Sequence, residues 1–376
     1  MRLLTQPDDG IAPLLSGIRG AKKSIEIVIF RLDQKEIEAA LKAAVVRGVS
    51  VRALIAYTNR AGERGLRKLE QRLLAGGVIV ARTADDLIRY HDKFMIIDRS
   101  VLYLLAFNFT ALDIKHSRSF GIITRHHRLV QEAVRLFEAD MTRQPYTPGL
   151  DEFVVSPLNA RKQLATFLKG ARKQLLIYDT QVSDGQMVKI LEGRARAGVE
   201  VRIIGEVTRK GSGLTVRKLP GMRLHTRTII RDGHQAFVGS QSLRKAELEA
   251  RREVGIIIRD PHVVKGLLTT FESDWERKAG AELSADLNKS LVSAAKAAKK
   301  AIKAVADDLP ALLPEVKEAV ISAVTEKIDL APEADEVEDV VKEAVKEAVR
   351  ETVKETVKET VREVVKEAVQ DVEDAA

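Results

Sequence analysis

The chain of 376 residues contains no cysteine, which removes disulfide frameworks, thiolate zinc sites and cysteine nucleophiles together and fits a reducing compartment. No uninterrupted apolar stretch reaches bilayer-spanning length. The opening residues, Met1 to Asp9, reach carboxylates and Pro7 before any apolar signal core forms, so no secretion signal is expected. These absences together predict a cytoplasmic protein, soluble or at most peripheral to a membrane. The length suffices for two domains with cores of their own, so burial requires no disulfide or metal.

Charge is unevenly shared. The formal net charge is +8, yet residues 281–376 hold 14 Lys or Arg against 23 Asp or Glu, a net of −9, while the residues before them hold 48 against 31, a net of +17. So basic a body favours a polyanionic partner such as nucleic acid or anionic lipid headgroups, through raised local potential and counterion release. A well-solvated surface accounts for the same balance, and composition leaves both open.

The chain repeats itself. Gly20-Ala21-Lys22-Lys23-Ser24 precedes the apolar run Ile25 to Phe30, and Gly170-Ala171-Arg172-Lys173-Gln174 precedes Leu175 to Tyr178, at an offset of 150. Arg47-Gly48-Val49 recurs as Ala197-Gly198-Val199 at the same offset. Later landmarks pair at 134: His91 with His225, Asp98 with Asp232, Gly121 with Gly255 and Phe137 with Phe271. The first copy therefore holds about sixteen extra residues before its histidine, assigned to a helix around Leu66–Leu74. Within each copy helical and strand periods alternate: Leu14, Leu15 and Ile18 have helical spacing, Ile25 to Phe30 reads as a strand, Ile37, Leu41 and Ala44 return to a helical face, and Val49 to Ile55 forms a second strand. That alternation predicts a layered α/β domain twice over. Pro145 and Pro148 interrupt any helix between the copies. The expected boundaries are a first half at 1–143, a linker at 144–154, a second half at 155–278 and a tail at 279–376.

The chemistry sits in two matched motifs. His91-Asp92-Lys93 is followed by Asp98 and then by Leu105-Ala106-Phe107-Asn108; His225-Thr226-Arg227 is followed at the same spacing by Asp232 and then by Gly239-Ser240-Gln241-Ser242. On a strand, residues two apart share a face, so His91 would project with Lys93 and His225 with Arg227. Imidazoles beside fixed cations suit a phosphodiester. One histidine attacks phosphorus, the other protonates the leaving oxygen, and the cations stabilise the equatorial charge. One copy supplies only one histidine, so the two copies must meet about a pseudo-two-fold axis. The remaining histidines, His126 and His127 among them, lack neighbours at metal-ligand spacing.

Both motifs resemble the phospholipase D superfamily signature, His-x-Lys, four residues, Asp, six residues, Gly-Ser-x-Asn. The resemblance covers residues 5–278. It implies two duplicated phospholipase D-like α/β sandwich halves packed about a pseudo-two-fold axis, with a covalent phosphohistidine intermediate, no cofactor and no required metal. The catalytic residues it implies are His91, Lys93, Asn108, His225, Arg227, Ser240, Ser242 and Glu253, with Asp98, Asp232 and Gly239 organising the motifs. Each motif departs from the pattern: Leu105 and Ala106 stand for Gly-Ser in the first, Arg227 for lysine and Ser242 for asparagine in the second. Arginine keeps the charge but aims it through a planar fork, and losing one transition-state donor costs about 2.7–4 kcal/mol. Glu253, whose counterpart in the first copy is Ser119, either fixes an imidazole tautomer or makes a surface ion pair. His91 is assigned as nucleophile and His225 as acid because the first motif keeps both lysine and asparagine; the reverse stays open.

Beyond residue 280 the composition turns to Ala, Lys, Glu and Val. Valines from Val337 to Val369 recur every four residues, which conflicts with strand alternation and predicts a long helical C-terminal tail whose apolar stripe winds around its axis. The tail is read as a solvated charged helix, a self-association element, or a peripheral membrane contact. The sequence as a whole predicts a phosphodiesterase that hydrolyses or transfers a phosphodiester of nucleic acid or anionic phospholipid, in the manner of cardiolipin synthase-like and bacterial phospholipase D-like proteins. A non-catalytic nucleic-acid or lipid-binding module and an assembly protein organised by its tail are the alternatives.

Overall fold

A computed structural model describes residues 1–58, 63–208 and 214–277. The helical tail expected for residues 279–376, with the self-association and membrane contact assigned to it, lies outside the described residues. The first half runs β1 (Arg2–Gln6), α1 (Ala12–Gly20), β2 (Ser24–Ile29), α2 (Lys35–Val46), β3 (Ser50–Ile55), α3 (Glu63–Ala75) and β4 (Ile79–Arg82). It continues through β5 (Arg89–Tyr90), β6 (Phe94–Ile97), β7 (Val101–Leu105), α4 (Ala111–Lys115), β8 (Ser117–Thr124) and α5 (His127–Thr142). The second half repeats that order as β9 (Phe153–Ser156), α6 (Ala160–Lys169), β10 (Gln174–Val182), α7 (Gly185–Arg196), β11 (Glu200–Val207) and β12 (Thr215–Arg217). It closes with β13 (Arg223–Leu224), β14 (Arg227–Arg231), β15 (Gln235–Gly239), α8 (Lys245–Glu249), β16 (Arg251–Ile258) and α9 (Pro261–Glu276). The element without a counterpart is α3, the insertion expected from the change of offset.

Each half is one mixed sheet, in the order β1-β8-β7-β6-β2-β3-β4 and β12-β11-β10-β14-β15-β16 with β9 against β16. The two-residue strands are exchanged. β5 of the first half pairs in parallel with β16 of the second, and β13 of the second pairs in parallel with β8 of the first. Arg89 meets Arg251 and Arg223 meets Ser117, equivalent registers under the 134-residue repeat. These crossings lead each histidine segment to the boundary between the halves.

Three apolar layers hold the arrangement. One packs α1, α2 and α3 on the outer face of the first sheet, through Leu14, Ile18, Ile37, Leu41 and Leu69. The second half repeats it with Leu164, Leu168, Met187 and Leu191. The third joins the inner faces of both sheets with α5 and α9, through Phe94, Phe120, Phe137, Tyr178, Phe271 and Trp275. Because burial of apolar area is the dominant favourable term, this shared layer makes the halves one folding body.

Asp98 and Asp232 hold equivalent hairpin turns. Each has left-handed φ, +53° and +52°; the following residues, Arg99 and Gly233, do as well, which lets each three-residue connection, 98–100 and 232–234, turn with the twist of its strands. Asp98 accepts the backbone N–H groups of Lys22, Lys23 and Ser24 at 2.6–3.1 Å, and Asp232 those of Arg172, Lys173 and Gln174 at 2.6–3.1 Å. Those donors hold both carboxyls below the ordinary range against the opposing effect of burial. Their stabilisation is therefore present above the unfolded carboxyl pKa and lost as pH falls through the folded one. Asp98→Ala and Asp232→Ala are each expected to cost about 1–3 kcal/mol at neutral pH and to add in the double variant, read from urea midpoints at pH 7; the deficit should shrink in acid.

Candidate active site

His91 and His225 do not lie on strands, contrary to the sequence expectation. They occupy short links, His91 between β5 and β6 and His225 between β13 and β14, with Phe94 and Arg227 opening the following strands. The reason is the strand exchange: the chain must leave one sheet and enter the other here, so no single ladder spans the segment. Backbone bonds across the halves fix both ends, from His91 N–H to the Arg252 carbonyl at 2.8 Å and from His225 N–H to the Arg118 carbonyl at 3.0 Å. The histidines are 8% and 7% exposed.

Each imidazole finds a carboxylate from the opposite half. His91 Nδ1 lies 2.9 Å from Glu253 Oε2 and 3.0 Å from Oε1, so Glu253 makes a tautomer-fixing contact and not a surface ion pair. His225 Nδ1 lies 2.7 Å from Asp113 Oδ1, a close charge contact without hydrogen-bond geometry, to a residue the sequence reading did not select. Its position was recoverable, since the 134-residue offset pairs Asp113 with Glu247. Ser119, the counterpart of Glu253, donates its hydroxyl to the His225 carbonyl at 2.7 Å. Each Nδ1 thus has a carboxyl oxygen within 2.9 Å, hydrogen-bonded for His91 and in charge contact for His225, which turns each Nε2 away from the acid.

The two departures of the second half meet each other, while the first half keeps the lysine and the asparagine. Lys93 is 1% exposed, donates to the His91 carbonyl, and lies 5.4 Å from the centroid of the Phe30 ring, which itself packs edge-on against His91 at 4.5 Å. Its partner position Asn108 donates Nδ2 to Asp113 Oδ2 at 2.8 Å. In the second half the longer Arg227 meets the shorter Ser242, Nε to Oγ at 3.0 Å. Ser240 Oγ accepts the Val254 N–H at 3.2 Å, while Ala106 keeps only the equivalent backbone bond, to the Phe120 carbonyl at 2.9 Å. Gly239 faces Gly255 across the ladder. A Cβ on Gly239 would come within 2.6–2.7 Å of the Phe237 ring, Gln241 and the Gly255 Cα, so the requirement is space and not φ. Leu105 fits in the first half because its neighbour Gly121 leaves room. Asp98 and Asp232 sit at the far ends of β6 and β14, where they organise turns. Among the described residues no group of three or more His, Cys, Asp or Glu side chains is arranged to hold a metal ion.

Burial sets the protonation states. It is the first cause of the downward shift of His91, assisted by Lys93, Arg227, His225 and Arg251, and of the upward shift of Glu253 to about 8. Only ionised Glu253 accepts the Nδ1 proton and leaves Nε2 of His91 bare, so that state becomes more populated as pH rises through about 8. His225 is pushed down to about 3, by burial first and then by Arg223 and Arg227, against the pull of Asp113. Lys93 is pushed down to about 7 by burial, with Arg227 adding and Glu253 opposing. An arriving phosphodiester anion would oppose these cations and restore proton affinity to His225 and Lys93. Since the free lysine loses its charge as pH rises through about 7 while Glu253 ionises near 8, kcat/KM for a chromogenic diester is expected to stay level between those values and to fall about tenfold per pH unit above them. Lys93→Arg should move this alkaline limb upward, as measured by kcat/KM from pH 6 to 9.

The family model described as "Cardiolipin synthase, PLD-like domain" matches residues 14–141 and 164–275. Mouse "Mitochondrial cardiolipin hydrolase" is 28% identical over 150 residues, which cover 39% of this chain and 66% of that protein. The fold is similar to that of polyphosphate kinase from Porphyromonas gingivalis, with TM-score 0.61 and 19% identity over 73% of this chain and 50% of that one. It is also similar to phosphatidylserine synthase from Haemophilus influenzae Rd KW20, with TM-score 0.57 and 12% identity over 73% of this chain and 86% of that one. Among the described residues no helix is long and apolar enough to cross a membrane.

Proposed function

The chain belongs to the cardiolipin synthase-type family of phospholipase D-like domains, and from that premise we propose that it is a phosphodiesterase acting through a covalent phosphohistidine. The observation that supports this reading most strongly is the pair of histidines, each oriented through Nδ1 by a carboxylate of the other half. In the first step Nε2 of His91 attacks phosphorus, the N–P bond forms, the bond to the leaving alcohol breaks, and His225 gives that oxygen a proton. In the second, water or an alcohol attacks phosphorus, His225 takes its proton and the N–P bond breaks. Lys93, Arg227, Asn108, Ser240 and Ser242 surround this chemistry, with the two cations stabilising equatorial charge.

The substrate class follows from charge. Arg223 on β13 and Arg251 on β16, opposite β5, border the histidine segments and residues 1–280 carry a net +17, so an anionic diester is expected, either a nucleic acid or an anionic phospholipid. The mouse relative's name adds cardiolipin to the panel. We expect a labelled phosphoenzyme, trapped by rapid denaturation at alkaline pH where phosphohistidine survives, from at least one of cardiolipin, phosphatidylglycerol, single-stranded and duplex DNA or RNA. Labelling should persist in EDTA, because the two-histidine route requires no metal-bound water. Binding of every ligand with no phosphoenzyme and no turnover would instead establish a non-catalytic binding module.

A further inference from the structure

The two halves cap their motif loops in the same way. Asp113 Oδ2 accepts the Asn108 backbone N–H at 2.7 Å, and Glu247 Oε2 accepts the Ser242 backbone N–H at 2.7 Å. The second oxygens differ. Glu247 Oε1 faces Arg251 at 3.2 Å and Arg244 at 3.6 Å, with no histidine in contact. Asp113 Oδ1 faces His225 Nδ1 at 2.7 Å and Arg223 Nη1 at 2.6 Å. The repeat places the carboxylate for His91 at Glu253, and the same position relative to His225 is held by Ser119, whose hydroxyl bonds the His225 carbonyl and not its ring.

We propose that Asp113 is a relocated orienting residue: a loop-capping carboxylate that has taken over the positioning of the His225 imidazole left vacant by serine at position 119. The assignment rests on the phosphodiesterase reading for its consequence in turnover, but not for its geometry. The two oxygens of Asp113 divide the labour, one holding the motif loop through Asn108, the other lying against His225 Nδ1 and favouring the proton on that nitrogen, so that Nε2 faces the leaving group. Against burial, which pushes it up, His225 first and then Arg223 on the same oxygen hold the carboxyl well below the ordinary range. A longer acid at this point would not serve both ends at once, whereas Glu247, whose second oxygen serves arginines, accommodates an extra methylene.

The test is the protonation site of His225, which a cap alone would not control. In the wild-type protein labelled with 15N-histidine, the signal lost in His225→Asn should show Nδ1 protonated, Nε2 bare and a strongly deshielded Nδ1 proton. Asp113→Asn should convert it to the Nε2-protonated form, and adding Ser119→Glu should return it to the wild-type tautomer. Glu247→Gln, which weakens the equivalent cap, should leave His225 unchanged. In turnover, Asp113→Asn should lower kcat by about 10²-fold or more with KM changed by less than about threefold, and Ser119→Glu should recover at least about tenfold of that loss. A wild-type His225 protonated at Nε2, or a tautomer indifferent to Asp113→Asn in a protein that keeps its cooperative melting, overturns the assignment. The wild-type spectrum decides even where Asp113→Asn fails to fold. The tautomer readout needs no substrate, so failure of the phosphodiesterase reading and failure of this assignment are separately visible.

Discussion

Replacing His91 with asparagine is expected to abolish the covalent phosphoenzyme and lower kcat by about 10⁴–10⁶-fold, the scale seen when a nucleophile acting within a unit is removed. Asparagine preserves the size and a polar contact toward Glu253 but offers no lone pair at the Nε2 position. His225→Asn should behave differently. With an ordinary alkoxide leaving group the missing proton donor slows the first step by about 10²–10⁴-fold. With p-nitrophenolate, which departs without a proton, the first step should proceed and the second should stall for want of a base. A labelled intermediate then accumulates in His225→Asn and is absent in His91→Asn. The opposite pattern, with label retained in His91→Asn, would exchange the two roles while keeping the mechanism. Equal residual turnover in both variants and in the wild type would remove the histidines from the chemistry altogether.

Arg118→Leu is expected to destabilise the protein by about 3–5 kcal/mol, the cost of stranding a buried charge. Arg118 is a cross-half tie: its guanidinium binds Asp274 of α9 through two bonds of 2.7 and 3.2 Å and the Gln6 carbonyl at 2.9 Å. Tyr178 adds a hydroxyl to the same carboxylate at 2.7 Å. Without the arginine, Asp274 keeps only the phenol in a nearly dry layer. The double variant Arg118→Leu with Asp274→Leu should recover most of the loss, because the apolar pair fits the surrounding Phe120, Tyr178 and Phe271 layer and leaves no orphaned charge. Denaturant unfolding at fixed pH would measure both. The equivalent tie in the other half, Arg252 to Asp140 at 2.9 Å, has a built-in relief, since burial pushes the Asp140 carboxyl up to about 6. Arg252→Leu should therefore cost less at pH 5 than at pH 8, as the carboxylate can take up a proton.

Much of this architecture is legible in the residues. The insertion of α3 follows from the change of offset from 150 to 134, and the strands β2, β3 and β6 follow from Ile25 to Ile29, Val51 to Ile55 and Phe94 to Ile97, whose apolar runs, interrupted by Glu26 and Arg52, mark strands covered on both faces. The turn function of Asp98 and Asp232 also follows from chemistry, since a short acidic side chain tolerates left-handed backbone and accepts nearby N–H groups. The links carrying His91 and His225 were misread as strand. A β-branched or aromatic neighbourhood favours extended backbone without saying which sheet the chain joins, and the exchange of β5 and β13 is a decision between sheets.

The linear order of residues determined the duplication, the two histidine motifs and their shared spacing, because covalent repeats and side-chain periodicity are properties of the chain itself. Only the folded structure decided which acid serves which imidazole. Asp113 and Glu247 have the same place in the repeat and the same backbone partner, yet one reaches a histidine and the other an arginine. That difference arises where the halves cross, from a contact 112 residues apart between Asp113 and His225, and a contact across such a distance depends on packing that no local pattern encodes.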